Sequence, residues 1–340
     1  MTIRVLVVGL GNMGLSHAQA YDTNPDFEIV GLVNRSRPDL PEALETYPFS
    51  TDFSASLAET EPDLVSIATY TDSHADLAIT AMEAGAHVFV EKPLADNMAD
   101  ATRVVETARR TGRKLIVGYI LRVHPSWIRF IDEARDLGGP YVFRLNLNQQ
   151  STGAEWEVHK ALMQSTSPIV DCGVHYVDVM CQITDARPIQ VRGMGLRLTD
   201  EIAPDMYNYG HFQVLFEDGS VGWYEAGWGP MISETAYFVK DVIAPAGAVS
   251  IVAAEQGGSS SIDSHTRVGT LRVHRDGSDR LIDLPDEPGH QALCDAEAAL
   301  VADAILNDRD LTRHNRDALA SLSICLAADT SVRTGQPVTL

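Results

Sequence analysis

The sequence is poor in cysteine and contains no long apolar run. Its 340 residues include four cysteines, which form neither a CxxC pair nor a zinc-like spacing: Cys172, Cys181, Cys294 and Cys325. We expect reduced, buried thiols, as is usual in a reducing compartment. The apolar runs stay short of the ~18 residues that a membrane span requires, and the N-terminus reaches glycines where a signal peptide would continue its apolar region. We therefore expect a cytoplasmic protein with no membrane partner.

Positive charge is also scarce. Lys and Arg number 26 against 47 Asp and Glu, and the formal net charge is −21. A surface of this sign repels phosphate backbones and anionic lipid surfaces, so nucleic acid is excluded as an expected partner. Any anionic ligand must then be held by local groups and not by the overall field.

The first part of the chain alternates strand and helix patterns. The length and a hydrophobic content of 45% suggest two domains, of which the first covers 1–121. Strands are predicted at 3–9, 27–34, 64–68, 87–90 and 115–117, and helices at 12–22, 73–84 and 97–111. This rhythm is typical of an α/β domain with a parallel sheet covered on both faces.

The rhythm changes in the second predicted domain, 122–340. Helices are expected at 125–137, 168–184, 290–307 and 315–334, and strands at 141–148, 189–198, 207–217, 220–228, 235–243 and 247–253. The Asp218-Gly219 turn between alternating segments predicts a hairpin, and 255–265 looks like a loop. The fold class expected here is an α/β domain with a large, mostly antiparallel open sheet. The sequence leaves open whether the C-terminal helices pack back on the first domain.

A glycine motif follows the first strand directly. Gly9, Gly11 and Gly14 form GxGxxG between a strand and a helix. The first glycine permits a tight turn, the second lets a pyrophosphate approach the backbone, and the third permits close packing of helix on strand. In this context the motif predicts a dinucleotide-binding Rossmann domain. The alternative is a glycine-rich turn without a ligand.

The second strand ends in Asn34, Arg35, Ser36 and Arg37. An acidic residue here would bind the ribose hydroxyls and repel a 2′-phosphate, whereas Arg beside Asn or Ser suits that phosphate. The pattern favours NADP(H) over NAD(H). The alternatives are NAD as cofactor and two solvated loop arginines.

Two further motifs carry titratable groups. Glu91-Lys92-Pro93 follows an apolar strand, so Lys92 stands where the nicotinamide of a bound dinucleotide should lie. Asp171 and His175 share one face of a predicted helix, and Asp178 extends that face. A carboxylate beside an imidazole can hold its tautomer and raise its basicity. The alternatives are a surface salt bridge at the strand end and a structural histidine.

With these four features together, the chain resembles the Gfo/Idh/MocA family of sugar, inositol and polyol oxidoreductases. The specific parts are the run from His74 through Pro93 and the DxxxH helix, and GLGNMG, VGYILRVHPSW and SVRTGQPVTL extend the likeness over nearly the whole chain. The resemblance implies an N-terminal Rossmann domain, then an α/β domain whose sheet often mediates oligomer contacts. A homo-oligomer, dimer or tetramer, is therefore expected.

The resemblance also implies site residues. The catalytic lysine falls on Lys92 and the Asp and His pair on Asp171 and His175. No metal is expected. The cofactor-binding residues implied are Gly9, Gly11, Asn12, Met13, Gly14, Asn34, Arg35, Ser36, Arg37, Thr69, Tyr70, His74, Glu91 and Lys92. The family's Thr-Pro-Asn before the His reads Thr69-Tyr70-Thr71-Asp72 here, which puts the contacts near the nicotinamide in doubt.

The expected reaction passes a hydride between the cofactor and a secondary alcohol of a sugar or polyol. His175 would take the hydroxyl proton, Lys92 would stabilise charge on the reacting oxygen, and Asp171 would orient His175 or bind a neighbouring hydroxyl. Further substrate candidates are Tyr119, Arg122, Asn146, Gln150 and Trp156. For Trp156 the alternative is a packing anchor.

Two other functions stay open at this point. One is a glycoside hydrolase or lyase that uses a tightly bound nicotinamide transiently, as some members of the resembled family do. The other is a non-enzymatic sensor of cofactor or sugar, although a sensor would have no need of a proton-transfer pair such as Asp171 and His175.

Overall fold

The chain folds into two compact units. In the computed structural model, the described residues are 2–233, 239–252, 259 and 265–340. The first unit runs up to Val123 and also takes in Pro288–Leu319, whereas the second consists of His124–Glu287 and Ala320–Leu340. The first unit thus includes part of the C-terminal helical segment.

The first unit is built on a six-stranded sheet. Its strands are β1 (Ile3–Val8), β2 (Phe27–Val33), β3 (Phe49–Ser50), β4 (Leu64–Ile67), β5 (His87–Glu91) and β6 (Leu115–Gly118). Helices α1 (Asn12–Thr23), α2 (Phe53–Thr60), α3 (His74–Glu83) and α4 (Met98–Thr111) alternate with them. All strand pairs are parallel, in the order β3-β2-β1-β4-β5-β6. The predicted parallel α/β architecture is confirmed.

The order of the strands places a ligand site. From β1 the chain crosses to β2 on one side, and it later crosses to β4 on the other side of β1. Ligands of such sheets bind beyond the carboxyl ends of the strands at this switch point. The residues that follow the two strands there are Gly9 after β1 and Ala68 after β4.

The second unit is built on a nine-stranded sheet. In chain order its elements are α5 (Pro125–Asp136), β7 (Val142–Gln149), α6 (Gly153–Leu162), α7 (Pro168–Thr184), β8 (Pro188–Leu196), β9 (Tyr209–Phe216), β10 (Val221–Trp228), β11 (Lys240–Ala244), β12 (Gly247–Val252), β13 (Thr270–Arg275), β14 (Ser278–Asp283) and β15 (Val338–Thr339). The strand order is β14-β13-β12-β11-β7-β10-β9-β8-β15, and the pairs are antiparallel except β7 with β10. The predicted, mostly antiparallel sheet is confirmed.

Helix α7 has the bounds that the sequence predicts and packs on the sheet of its own unit. Ser167 caps its N-terminus by accepting a hydrogen bond from the backbone N–H of Val170 (3.2 Å), and it donates to Asp329 Oδ1 (2.6 Å). Gly173 permits a close approach, because a Cβ there would lie 3.1 Å from a ring carbon of Tyr224. The cap and this contact hold the helix, and with it the DxxxH motif, against β10.

Six of the helices and strands named above were missed from the sequence: β3, α2, α6, β13, β14 and β15. Helix α6 buries only Trp156 and His159 and leaves Val158 57% exposed, so its apolar residues do not form a clear stripe at helical spacing. The β13–β14 hairpin carried a usable signal, because Asp276 and Gly277 both adopt the positive φ of a tight two-residue hairpin turn.

Two predictions fall partly on residues that the structure does not describe. Of the strand predicted at 235–243, residues 235–238 lie outside the described residues, and β11 begins at Lys240. Most of the loop predicted at 255–265 also lies outside them.

Two long helices complete the described chain. These are α8 (His290–Leu306) and α9 (Thr312–Thr334), where the sequence predicts 290–307 and 315–334. Residues up to Leu319 belong to the first unit and those from Ala320 onward to the second. Among the described residues, no helix combines the length and the apolar character that crossing a bilayer requires.

Candidate active site

The turn between β1 and α1 can be built only with glycine at two positions. Gly9 has φ +91°, and a Cβ there would lie 2.4 Å from the carbonyl oxygen of Ala68. A Cβ on Gly14 would lie 1.9 Å from the carbonyl oxygen of Gly9. Both distances are far below contact, so the two glycines let α1 start directly against the ends of β1 and β4.

The third glycine is different, because nothing lies within 4 Å of a Cβ built on Gly11. Gly11 caps α1 without a side-chain hydrogen bond, and the helix begins at Asn12 and Met13. The first N–H groups of a helix have no partner within the helix and attract anions. An open, positively polarised helix end at the switch point is the arrangement that holds a dinucleotide pyrophosphate.

Asn34 is engaged within the protein. Its Oδ1 accepts a hydrogen bond from the backbone N–H of Leu10 (3.2 Å), and its Nδ2 donates to the carbonyl oxygen of Ser36 (2.8 Å). The side chain thus ties the glycine turn to the end of β2. It shapes the region where the adenosine ribose of a dinucleotide would lie.

The two arginines after β2 take different directions. The guanidinium of Arg35 lies 5.3 Å from the centre of the exposed Tyr70 ring, and within the described part of the chain it forms no ion pair. The guanidinium of Arg37 lies over Phe49 and donates to the carbonyl oxygen of Glu45 (3.4 Å). Arg35 is therefore the cation available beside the ends of β2 and β4.

His74 connects the ends of β4 and β5. Its Nδ1 lies 2.8 Å from the carbonyl oxygen of Pro93, and its Nε2 lies 3.0 Å from that of Thr69. Burial lowers the pKa of this imidazole, although both carbonyl contacts oppose the shift. The residue was expected to touch the cofactor, and its contacts within the protein position the loops after two strands.

Glu91 is buried and orients the segment that carries Lys92. Its Oε1 lies 2.7 Å from Nε2 of the buried His17, and its Oε2 accepts from the backbone N–H of Lys92 (3.1 Å). A Cβ on Gly118 would come within 3.2 Å of Glu91 Oε1, so this glycine leaves room for the carboxylate. The Lys92–Pro93 bond is cis, and Lys92 is half-buried.

Tyr119 and Arg122 follow β6, the last strand of the first sheet in chain order. Tyr119 is buried, and the Arg122 guanidinium lies 5.8 Å from the centre of its ring. Arg122 also forms an ion pair with the buried Asp317 (3.3 Å). Both were substrate candidates, and these contacts show that they take part in the packing of the first unit.

The DxxxH motif forms the accessible face of α7. From Pro168 to Cys181 every residue is buried except Asp171 and His175, which are half-buried. Asp178, which the helical spacing places along the same face, is 1% exposed, and its carboxylate accepts a hydrogen bond from Gln182 Nε2 (3.0 Å). A helix that is otherwise buried therefore presents one carboxylate and one imidazole.

Sequence reasoning missed an aromatic and amide group close to α7. The rings of His159 and Trp228 stack at 4.4 Å, and Trp228 Nε1 donates to Gln149 Oε1 (2.7 Å). Burial lowers the pKa of His159 to about 4, and the charge of Asp171 partly opposes this shift. The one sequence feature that could have indicated this group is the position of Gln149, which directly follows the predicted strand 141–148.

Lys240 was also missed. It is 1% exposed, its Nζ lies 4.4 Å from the centre of the Tyr176 ring, and it donates a hydrogen bond to the backbone carbonyl of Asn146. Burial holds the pKa of this ammonium well below its ordinary value. A buried lysine thus contacts α7, the helix that carries Asp171 and His175, through the ring of Tyr176.

The remaining substrate candidates make structural contacts. Trp156 is buried, and its Nε1 donates to Glu201 Oε2 (3.2 Å), which agrees with the packing alternative. Asn146 is buried, and its Oδ1 accepts from the backbone N–H of Val239. Gln150 Nε2 donates to the carbonyl oxygen of Ile232 (2.7 Å). The three hydrogen bonds are all formed with other residues of the second unit.

Comparison with known proteins gives matches over both units. Residues 3–119 match the model described as "Oxidoreductase family, NAD-binding Rossmann fold", and residues 128–234 match that of the "GFO/IDH/MocA C-terminal domain". The scyllo-inositol 2-dehydrogenase (NAD(+)) of Bacillus subtilis (strain 168) is 28% identical over 353 aligned residues, which cover 99% of this chain and 96% of that one. The two matched segments together span more than half of the chain.

Solved structures share the fold. The aldose-aldose oxidoreductase from Caulobacter crescentus, complexed with glycerol, aligns with a TM-score of 0.80 and 21% identity over all of both chains. The UDP-N-acetylglucosamine 3-dehydrogenase from Acidithiobacillus ferrooxidans aligns with a TM-score of 0.78 and 22% identity over 98% of each chain. At these identities the likeness establishes the architecture.

The glycine turn yields a matched pair of variants. Gly14→Ala forces a methyl group into the carbonyl of Gly9 and should lower the free energy of unfolding by roughly 2–4 kcal/mol. Gly11→Ala adds a methyl group in open space at an ordinary φ of −75° and should change that free energy by less than about 0.5 kcal/mol. The new methyl group lies on the approach to the helix end. The dissociation constant of the Gly11→Ala variant for a nicotinamide dinucleotide should therefore rise at least about tenfold.

Urea unfolding and calorimetric titration with NAD and NADP measure the two effects. If Gly11→Ala binds both dinucleotides as well as the unmodified protein does, the assignment of this helix end to the pyrophosphate is wrong.

Proposed function

Because this chain belongs to the Gfo/Idh/MocA family of oxidoreductases, we propose that it transfers a hydride between a nicotinamide cofactor and a secondary alcohol of a sugar, inositol or related polyol. The observation that carries the proposal is the face of α7. Asp171 and His175 are the two accessible residues between Pro168 and Cys181, and together they form a proton-transfer pair.

The residues of the first unit suit a dinucleotide. The free helix end at Gly11 would hold the pyrophosphate, and the segment after β5 would place Lys92 beside the nicotinamide. When bound, the nicotinamide ring accepts or donates the hydride. The protein supplies position and charge around it.

Lys92 would donate a hydrogen bond to the reacting oxygen of the substrate. As the hydroxyl loses its proton, negative charge develops on this oxygen, and a preorganised ammonium stabilises that charge. The direction of Lys92 depends on its neighbour, because Glu91 binds both His17 and the backbone N–H of Lys92. The buried contact between His17 and Glu91 is therefore part of the support of the catalytic lysine.

His175 would take the hydroxyl proton in oxidation and return it in reduction. Asp171 lies one helical turn before it, where its carboxylate can orient the imidazole or bind a neighbouring substrate hydroxyl. The polar group around Gln149 and His159 offers amide and imidazole atoms of the kind that bind vicinal hydroxyls. These features favour a substrate with several hydroxyl groups.

For the cofactor we propose NADP(H) as the preferred form. Arg35 stands beside the end of β2 with its guanidinium over Tyr70, and it has no carboxylate partner in the described chain. Asn34 adds no negative charge there, so a 2′-phosphate would meet the cation of Arg35. The relative from Bacillus subtilis is named as NAD(+)-dependent, so a direct comparison of the two cofactors decides the point.

Substitutions of the proposed catalytic residues test the reaction. Lys92→Ala and His175→Asn should each lower kcat by about 100- to 10,000-fold, because each removes a charge-stabilising or proton-transfer group. Cofactor dissociation constants for His175→Asn should change less than about threefold, since the residue acts on the substrate. The measurement is the absorbance of reduced nicotinamide with a panel of sugars, inositols and their keto forms.

Lys114→Ala is the control, because Lys114 pairs with the exposed Asp308 at the surface of the first unit. Full activity of Lys92→Ala contradicts the proposed role of the lysine. Product formation without any net change in reduced nicotinamide would favour the hydrolase or lyase alternative.

The cofactor preference has its own test. Arg35→Ala should raise KM for NADP by roughly 10- to 100-fold, because a charge-assisted contact of about 1.5–3 kcal/mol is lost, and should change KM for NAD less than about threefold. Arg37→Ala is the matched control, since its guanidinium already lies over Phe49. Steady-state kinetics with both cofactors give the answer, and a wild-type preference for NAD refutes the assignment.

A further inference from the structure

A buried cluster of metal-ligating side chains lies between two helices of the first unit. One ring nitrogen of His17, the Sγ of Cys294 and one carboxylate oxygen of Glu297 all lie within 4.8 Å of one another. The three residues are 1%, 0% and 4% exposed. Nitrogen, thiolate sulfur and carboxylate oxygen are the ligand types that zinc takes in proteins.

Two helices bring these donors together. His17 lies on α1, whereas Cys294 and Glu297 lie three residues apart on α8 and therefore share a face of that helix. The helices are tied by a hydrogen bond from Gln291 Nε2 to the carbonyl oxygen of Ser16 (2.9 Å). Because His17 is more than 270 residues away from Cys294 and Glu297 in the sequence, no spacing pattern indicated the cluster. No metal was expected from the sequence.

The carboxylate of Glu297 belongs to the cluster and carries an unsatisfied oxygen. Its Oε2 is buried and has no hydrogen-bond partner among the described residues. Burial, with the charge of Glu91 as the second cause, raises the pKa of this carboxyl well above its ordinary value, and burial likewise raises the pKa of the Cys294 thiol. Buried carboxyl oxygens are normally paired, so an oxygen of this kind is suited to bind a ligand.

His17 is held in the way that metal-bound histidines are held. Its Nε2 lies 2.7 Å from Glu91 Oε1, and its ring packs edge-on against Phe89 at 4.7 Å. A histidine that binds a metal through one nitrogen generally donates its other N–H to a carboxylate, which fixes the ring. Nδ1 is then the nitrogen left for an ion.

A fourth donor is close at hand on α8. His290 lies one turn before Cys294, and its Nε2 is 3.7 Å from Cys294 Sγ. Tetrahedral zinc with bonds of about 2.0–2.3 Å sets its donors roughly 3.3–3.8 Å apart. The donor atoms of His17, Cys294 and Glu297 lie within 4.8 Å of one another, so the distances between them would need to shorten by about 1 Å.

From this convergence we propose that His17, Cys294 and Glu297 bind one divalent transition-metal ion of the zinc type. Binding displaces one proton from the thiol and one from the carboxyl, and both protons leave to solvent. The ion, a thiolate, a carboxylate and a neutral imidazole then sum to zero charge, which suits a buried site.

The site would act on the structure of the first unit. It would clamp α8 to α1, the helix whose N-terminus begins at the glycine turn, and so stabilise the first unit. The proposal is independent of the proposed substrate and of the roles of Lys92 and His175.

Cobalt(II) serves as the probe, because a thiolate ligand gives a sulfur-to-metal charge-transfer band and a tetrahedral site gives intense visible bands. The full-length protein is dialysed against a chelator, exchanged into buffer and titrated with Co2+. We expect saturation at one equivalent with both sets of bands, displacement of the cobalt by one equivalent of Zn2+, and a higher Tm with either metal.

Variants separate this site from chance binding. Cys294→Ser should lose the charge-transfer band, and Glu297→Gln, which keeps the shape of the side chain, should weaken cobalt binding at least tenfold. Cys181→Ser, a change at a buried cysteine of the second unit, should leave the spectrum unchanged. The proposal is overturned if the wild-type protein shows no charge-transfer band, or if that band survives in Cys294→Ser.

Discussion

The structure of the first unit depends on the absence of two side chains. The carbonyl oxygens of Ala68 and Gly9 occupy the space where Cβ atoms of Gly9 and Gly14 would stand. Because of this close approach, α1 starts at the ends of β1 and β4, and its free N–H groups face the switch point of the sheet. The same helix carries His17, which binds the carboxylate next to Lys92. The proposed cofactor site and the contacts that orient the segment of Lys92 thus both depend on the helix that starts at this turn.

The two units contribute different kinds of chemistry. The first offers a helix end for phosphates, the cation of Arg35 and the supported Lys92. The second offers one accessible face on an otherwise buried helix, with Asp171 and His175. Membership of the Gfo/Idh/MocA family makes the chain an oxidoreductase that acts on CH–OH groups, and the proposed hydride transfer assigns a role to each set of residues.

Much of the fold could be predicted from the sequence, because its signals are local. The bounds of α7 follow from Pro168 at its start and the apolar stripe along it, and the demand for Gly14 comes from Gly9, five residues earlier. The demand for Gly9 comes from Ala68 on a neighbouring strand end, so here the sequence motif stands for a contact that is not local. The partners of side chains were not predictable in this way. Glu91 was expected at the cofactor, yet its bond with His17 joins residues 74 positions apart, and the Cys294 and Glu297 cluster depends on two helices packing together. The roles of Trp228 and Lys240 likewise depend on contacts across strands and helices.

The central claim is that the substrate carbon passes its hydride directly to the bound nicotinamide. The most direct measurement uses a polyol substrate deuterated at the reacting carbon, with mass spectrometry and NMR of the cofactor after turnover. The account predicts one deuterium at C4 of the reduced nicotinamide for each product molecule. Deuterium found in the solvent, or retained in the product, would contradict it.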